Sequence, residues 1–533
     1  VDRLKPFYLP FLFAVVLLVS FYRLGSVTLF DVDEAVFSEA TKEMVMSGNW
    51  ITPTYDGVNR YDKPILFYWL MAASYKAFGI NEMGARFPSA AAGFILAMAL
   101  FFFIRKVFGE RTAFHGALAF TLSLYFFVYS HAAVTDMVLT LFITLSLFSF
   151  FFASSEGEQR GEKRKTYTYG FYLFSSLAFL TKGLIGIVFP FGIAMVYLFA
   201  TEGTKGVKRV FDAGGIVLFV LVSAPWYAAE FAVNGKEFLM QFFVKHHFER
   251  YLDVISGHRG PVYYYVPVLI VGLLPWVAFL PAGIRNVFRD LRHAGSGPTA
   301  QRQQESRLNL FAFIWFVLII LFFSFSTTKL PNYVLSAVPA AIILIASGMA
   351  EQDARWRKIS QGIAAVLSLA AGIAFIVSGR YLLRAGITET DWTIGAAVIL
   401  FAVAALSSYA FLKKPLQLYV EGLMLAFLLL LSVAALPLAG NFLQGSLHRF
   451  SMYARENLRG NERIIAYRAN NPSIVFYSGH RVINAGGPEE LAALLKEGKG
   501  KMVIAKTKDP GDLEKLGLAL VDRGGGYALL EKK

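Results

Sequence analysis

Between Phe30 and Leu70 the chain reads FDVDEAVFSEATKEMVMSGNWITPTYDGVNRYDKPILFYWL, and it gathers Asp31, Asp33, Glu34, Glu39, Glu43, Asp56, Arg60, Asp62 and Lys63. Carboxylates in such a group can orient or deprotonate an acceptor, and cations beside them can hold a phosphate. Further candidates follow: Asp136 in the turn His131–Asp136, His247 and Arg250 in KEFLMQFFVKHHFERY (236–251), and Lys329 and Tyr333 in STTKLPNY (326–333). Each has a plainer reading. Asp33, Glu34 and Asp136 can cap helices, Lys63 can snorkel to an interface, and segment 236–251 can be a solvated amphipathic helix.

The elements that must position these groups follow from composition. Of 533 residues, 56% are hydrophobic and 17% charged, with a mean hydropathy of +0.52. A soluble domain has roughly a quarter of its residues charged. Open sheets cannot span lipid, so the long apolar runs are helices of a polytopic membrane protein. The formal net charge of +14 is read as basic residues in cytoplasmic loops, and nucleic acid is not expected as a partner. With no cysteine, disulfides and cysteine–metal clusters are excluded. Residues Pro6–Phe21, after Arg3 and Lys5, resemble a signal peptide without a small-x-small site, and are read as a retained first helix.

About thirteen spans are expected between residues 6 and 438. Alternate loops are basic: Arg3/Lys5, Arg105/Lys106/Arg111, Arg160–Lys165, Lys205–Arg209, Arg285–Arg307, Arg355–Lys358 and Lys413/Lys414. The positive-inside rule then places the amino terminus in the cytoplasm and the carboxyl terminus on the far side. External loops are expected at 25–85, 231–261 and 326–333, with the turn at Asp136. All candidate groups thus fall on one side. Two domains are expected: a transmembrane domain over 1–440 and a small extracytoplasmic α/β domain over 441–533. The tail carries strand-like pieces at 463–467, 473–477, 502–505 and 527–530, and helical patterns at 488–497 and 510–516. In the opening stretch, Asp31 and Glu34 have capping-box spacing ahead of an interfacial helix ended by Gly48. Pro64 is expected at the first position of a second interfacial helix, which places Lys63 at its positive end.

With these residues in view, the sequence resembles the lipid-linked glycosyltransferases of the GT-C class. The pattern is carried by Asp33-Glu34, Met46, Gly48, Trp50 and Pro53, then Tyr61-Asp62-Lys63-Pro64, Leu66 and Tyr68-Trp69, then Asn81-Glu82, Arg86 and Pro88-Ser89. Within the class it is similar to the lipid A aminoarabinose transferase and to bacterial protein-mannosyltransferase-like proteins. Two departures are Lys63-Pro64-Ile65, where the family often has Lys-Pro-Pro, and Ala35-Val36-Phe37, where it usually has Arg-Tyr after Asp-Glu.

The resemblance implies a GT-C membrane domain and a sugar donor on polyprenyl (undecaprenyl) phosphate, used outside the bacterial inner membrane. It puts the catalytic acids at Asp33 and Asp136, with Glu34 beside the first. It puts the donor phosphate against Lys63 and Arg250, with Tyr333 in the cavity; Arg60, Tyr61, His247 and Lys329 are further donor-site candidates. Lipid A, another envelope glycan or a protein is the expected acceptor, and inversion the expected outcome. No cofactor is required; a divalent metal is an open option, since Asp62 and His247 alone are too few to define a site. A monomer is expected. The rival class is a transporter that flips polyprenyl-linked lipid, which would tolerate loss of Asp33 better than loss of Lys63.

Overall fold

The computed structural model describes residues 5–155, 161–242, 260–292, 300–351, 353–384, 386–412, 417–507 and 510–532. Helix α1 (Lys5–Phe21) leads to α2 (Asp33–Ser47), a hairpin of β1 (Thr54–Tyr55) and β2 (Val58–Asn59), and α3 (Leu66–Phe78). Then come α4 (Glu82–Phe108), α5 (Glu110–Thr121), α6 (Leu124–Ser130), α7 (Asp136–Ser155), α8 (Gly161–Lys182), α9 (Ile185–Val207) and α10 (Ala213–Leu239). Six further helical units follow: the bent pair Val262–Gly272 and Trp276–Arg292, then Ala300–Ser324, Pro331–Met349, Ala354–Arg384, Asp391–Leu412 and Gln417–Asn457. Every span expected from the sequence falls on a helix or a bent pair. By length and apolarity, nine helices among the described residues can cross a bilayer, or eleven if each bent pair is one span. The expected number was higher because α1 is short and α8 begins with Glu162, Lys163, Arg164 and Lys165.

Local sequence sets the helix ends. The Asn81 side chain accepts from the Gly84 N–H (2.8 Å) at the start of α4, where Glu82 complements the dipole, and Arg105 and Lys106 sit in the last turn. Gly235, at φ 56° and ψ −134°, breaks the helical path of α10 near its end. Elsewhere small residues let backbones touch. A Cβ on Gly283 would run into the Leu344 carbonyl, and one on Gly348 into that of Phe279. Gly283→Val is therefore expected to cost about 1–3 kcal/mol by overpacking, read as a lower unfolding temperature in detergent. Gly192→Val, where a Cβ meets nothing, is its control.

The tail forms a five-stranded sheet in the order β4-β3-β5-β7-β6, from β3 (Ile464–Tyr467), β4 (Val482–Ala485), β5 (Met502–Lys506), β6 (Leu518–Gly524) and β7 (Tyr527–Lys532). β4, β3 and β5 run parallel, while β7 pairs antiparallel with β5 and β6. Alternate side chains face opposite layers. Ile464, Met502 and Ile504 pack with Leu447, Phe450 and Ala454 of the helix Leu436–Asn457. Ile465 and Val503 pack with Leu491 and Leu495 of the helix Pro488–Lys496. A helical membrane domain followed by a small mixed sheet is the expected fold class. That same helix Leu436–Asn457 carries the chain unbroken across residue 441.

Three local expectations are corrected. Ser473–Ser478 is a helix, not a strand: a run of four apolar residues fits either period, and the carboxylate of Asp31 accepts the Ser473 N–H (2.8 Å) at the helix start. Asp31 consequently does not cap α2, whose cap position is Val32 without a side-chain bond. Pro64 precedes α3 rather than opening it, because Ile65 holds the cap position. Strands β4 and β6 were not foreseen; each is largely exposed or half-exposed.

Candidate active site

The first turn of α2 is anchored by a buried ion pair. Arg86 of α4 grips Glu34 through Nε–Oε1 and Nη2–Oε2, both 2.9 Å. The same carboxylate accepts the N–H of Phe30 (2.9 Å) and of Ala133 (2.7 Å). Arg86 spends its remaining protons on the carbonyls of Leu24, Val27 and Thr28. Burial pushes the Glu34 carboxyl up, but Arg86 and the two N–H donors outweigh it and hold it below its ordinary value. Glu34, expected among the catalytic acids, is thus fully engaged as a clasp. It ties α2 to the turn that ends at Asp136.

Asp33, next in sequence, is exposed at the start of α2. Its charge acts on Arg60 and Tyr68. Arg60 donates to the Tyr68 hydroxyl (3.2 Å), pairs with Asp62 (2.8 Å) and lies 5.6 Å over the Phe37 ring. Burial opposes its charge, yet Tyr68, Asp62 and Asp33 together raise it above the usual arginine range. Lys63 is half-buried, its ammonium 3.0 Å from the Asp62 carbonyl. The Tyr61 hydroxyl accepts from Asn59 (3.0 Å), and its ring leans on Phe238 of α10.

On the other side of the clasp, Asp136 opens α7 and is 5% exposed. It pairs with Lys182 at 2.6 Å and accepts from Asn332 at 3.2 Å. Lys182 lies 6.0 Å from the Tyr333 ring centroid, and that ring rests on Phe323. Lys182 was missed in the sequence because it sits between two apolar runs, in Leu-Thr-Lys-Gly, and reads as an ordinary inter-helix lysine. Lys329 has a different place from the one expected. Its ammonium donates to the carbonyls of Phe323 (3.3 Å), Ser324 (2.8 Å) and Ser326 (2.8 Å), capping the helix Ala300–Ser324. Burial pulls its charge below the usual lysine range. His247 and Arg250 lie outside the described residues.

The opening stretch is also tied outward. Thr52 donates to Glu230 of α10 (2.9 Å) and accepts from Asn234 (2.7 Å), and Trp226 bonds the Ile51 carbonyl (3.0 Å). Glu230 had not been singled out, since it stands alone in an apolar helix. Tyr477 of the small domain bonds Leu29 N–H (2.8 Å) and Glu82 (2.9 Å). The Asp56 carboxylate accepts the Val482 N–H at 3.3–3.4 Å. Burial pushes Asp56 up to about 6, against that N–H, with Glu43 adding and Arg481 subtracting. A carboxyl raised above its unfolded value of 3.8 contributes stability below that pH and loses it as pH rises through about 6. Asp56→Asn is expected to flatten the fall in thermal stability between those two values; the difference between variant and wild-type pH profiles measures it.

Among the described residues, no three His, Asp or Glu side chains converge as a metal site. The acids and cations instead form two flanks, Asp33–Arg60–Lys63 and Asp136–Lys182–Tyr333, joined through Glu34.

This arrangement can be set beside known proteins. Residues 62–228 match the family model of dolichyl-phosphate-mannose-protein mannosyltransferase. A crystal structure of ArnT from Cupriavidus metallidurans, bound to undecaprenyl phosphate, superposes with a TM-score of 0.80 at 22% identity, covering 98% of this chain and 97% of that one. The chain shares the fold of that ArnT structure. An undecaprenyl phosphate-alpha-4-amino-4-deoxy-L-arabinose arabinosyl transferase 2 from Pseudomonas fluorescens (strain Pf0-1) is 27% identical over 381 residues, 71% of this chain and 66% of that protein. An uncharacterized protein from Aquifex aeolicus (strain VF5) is 30% identical over 339 residues, 63% of either chain. The match therefore spans just under two thirds of these two relatives' lengths. Lys63, Asp136 and Lys182 fall inside the family model's residues, and Asp33 falls before them.

Proposed function

We propose that this ArnT-like protein transfers a sugar from undecaprenyl phosphate, or a similar polyprenyl phosphate, to an acceptor such as lipid A, another envelope glycan or a protein. The observation that carries this reading is the joining of two charged flanks, one with Asp33 and Lys63 and one with Asp136 and Lys182, by the Glu34–Arg86 clasp. The names of the relatives and the undecaprenyl phosphate bound in the ArnT crystal supply the donor class. The alternating basic loops support placing this end outside the bacterial inner membrane, with the amino terminus in the cytoplasm.

In this mechanism the acceptor oxygen attacks the anomeric carbon and forms the new bond. The bond from that carbon to the carrier phosphate breaks, and its electron pair leaves on the phosphate, with inversion. Lys63 and Arg60 on one flank and Lys182 on the other face the charge that grows there, and the family resemblance assigns Arg250 to the same phosphate. A fixed donor facing developing charge is worth ~2.7–4 kcal/mol. If the acceptor is a hydroxyl, Asp33 takes its proton; an ionised phosphate acceptor needs only orientation. Glu34 and Lys329 hold the elements in place.

The test is turnover of the purified full chain with radiolabelled polyprenyl-phosphate sugars and envelope extracts. Transfer that is lost in both Asp33→Asn and Lys63→Ala supports the transferase. Donor binding without transfer from any sugar tried would sink it in favour of a lipid transporter.

A further inference from the structure

A cavity lies at the end of the bundle opposite Tyr333. It measures about 390 Å³ and opens between α5, the bend at Trp276, and the ends of the helices Pro331–Met349, Ala354–Arg384, Asp391–Leu412 and Gln417–Leu430. The helix that starts beside Tyr333 ends on this cavity's wall at Met349. At ~1.5–2 Å per residue, that puts it roughly 25 Å from the candidate active site. None of its groups enters the proposed transfer.

The mouth carries Arg111 and Arg357, both exposed and neither in an ion pair among the described residues. The one acid on the wall, Glu351, is already held by Arg285 and Arg289, each at 3.2 Å. Two glutamines lie deeper. Gln361 is 6% exposed, and its Oε1 has no hydrogen-bond partner among the described residues; the buried Nε2 of Gln417 has none either. Such groups are costly to leave unpaired inside a protein, most of all at membrane depth. An unpaired carbonyl asks for a donor, and an unpaired amide N–H asks for an acceptor. Apolar surface from Trp276, Met349 and Leu406 lines the same space.

We propose that this cavity binds a phosphate-bearing amphiphile with a hydroxylated head group, the chemistry of phosphatidylglycerol. Arg111 and Arg357 pair with the phosphate, and the Gln417 amide donates to one of its oxygens. The Gln361 carbonyl accepts from a head-group hydroxyl. The glycerol backbone and upper acyl chain pack on Trp276 and Met349. Basic pockets between membrane helices recognise anionic head groups by this combination, and a zwitterionic lipid would bring its own cation against the arginines.

Native mass spectrometry of the full chain in neutral detergent tests the proposal, with phosphatidylglycerol, phosphatidylcholine, phosphatidic acid or soluble glycerol phosphate added. Phosphatidylglycerol is expected to be retained at least about fivefold over phosphatidylcholine. Arg111→Ala with Arg357→Ala should erase that preference, and Arg111→Lys with Arg357→Lys should keep most of it. Gln361→Leu should weaken phosphatidylglycerol but leave phosphatidic acid, which lacks the hydroxyl, unchanged. A preference that survives the double alanine variant, or equal retention of phosphatidylcholine, overturns the proposal. Retention of glycerol phosphate equal to that of the lipid overturns the amphiphile in favour of a free phosphate ester. Should the double alanine variant not fold, the lysine pair and Gln361→Leu still decide.

Discussion

Asp33→Asn is expected to lower sugar transfer to a hydroxyl acceptor by about 10²–10⁴-fold, the usual worth of a positioned proton acceptor, with donor binding little changed. Asp33 is exposed and makes no side-chain hydrogen bond or ion pair among the described residues, so the variant should fold like the wild type. Lys63→Ala is expected to lower turnover by ~10²–10³-fold, as loss of a fixed donor facing developing charge does, and also to weaken donor binding. The two variants therefore separate. A drop in kcat without a change in donor affinity assigns Asp33 to the acceptor side, and a drop in both assigns Lys63 to the carrier phosphate. Loss of donor binding in Asp33→Asn would contradict its assigned role. Full activity in Lys63→Ala would shift the phosphate to the Asp136–Lys182 flank.

Arg86→Met is expected to destabilise the fold by about 3–5 kcal/mol, the cost of leaving a buried charge without its partner. The loss falls on Glu34, which keeps two backbone donors but no cation. Arg86→Met combined with Glu34→Gln should recover more than half, because the amide oxygen still accepts from Ala133 and carries no charge. Thermal unfolding of the two variants in the same detergent measures this. Equal destabilisation would mean that the three carbonyls held by Arg86, not its charge, do the holding. The pH dependence follows from the same pair. Glu34 is held below its ordinary 4.5, so its contribution is present above that value and fades as pH falls through the lower folded one. Wild type should lose this share of stability in acid, and the double variant should not.

These two results bear on one arrangement. The clasp brings the Asp136 turn against the first turn of α2, so Asp33 and Asp136 keep their mutual placement only while Glu34 and Arg86 are paired. Arg86→Met should accordingly lower turnover in whatever protein still folds, although Arg86 faces no reacting atom.

The sequence by itself determined the class of molecule. Apolar runs of bilayer length can be satisfied only as helices, and the β-rich tail follows from short runs such as Ile464–Tyr467 and Met502–Lys506, whose apolar residues must be buried on both faces. It also marked Asp33, Lys63 and Asp136, because charge is costly beside lipid and stands out there. Tertiary structure decided what those charges do. Glu34 and Lys329 look like site residues until their partners are seen: Arg86 lies 52 residues from Glu34, and the carbonyls that hold Lys329 belong to a helix end. Lys182 reads as a turn lysine until Asp136 is found 2.6 Å away. Hydrophobic pattern is a property of neighbours in the chain, and so it can be read along the sequence. A charge's role depends on which partner comes to it from a distant segment, and only the folded chain sets that.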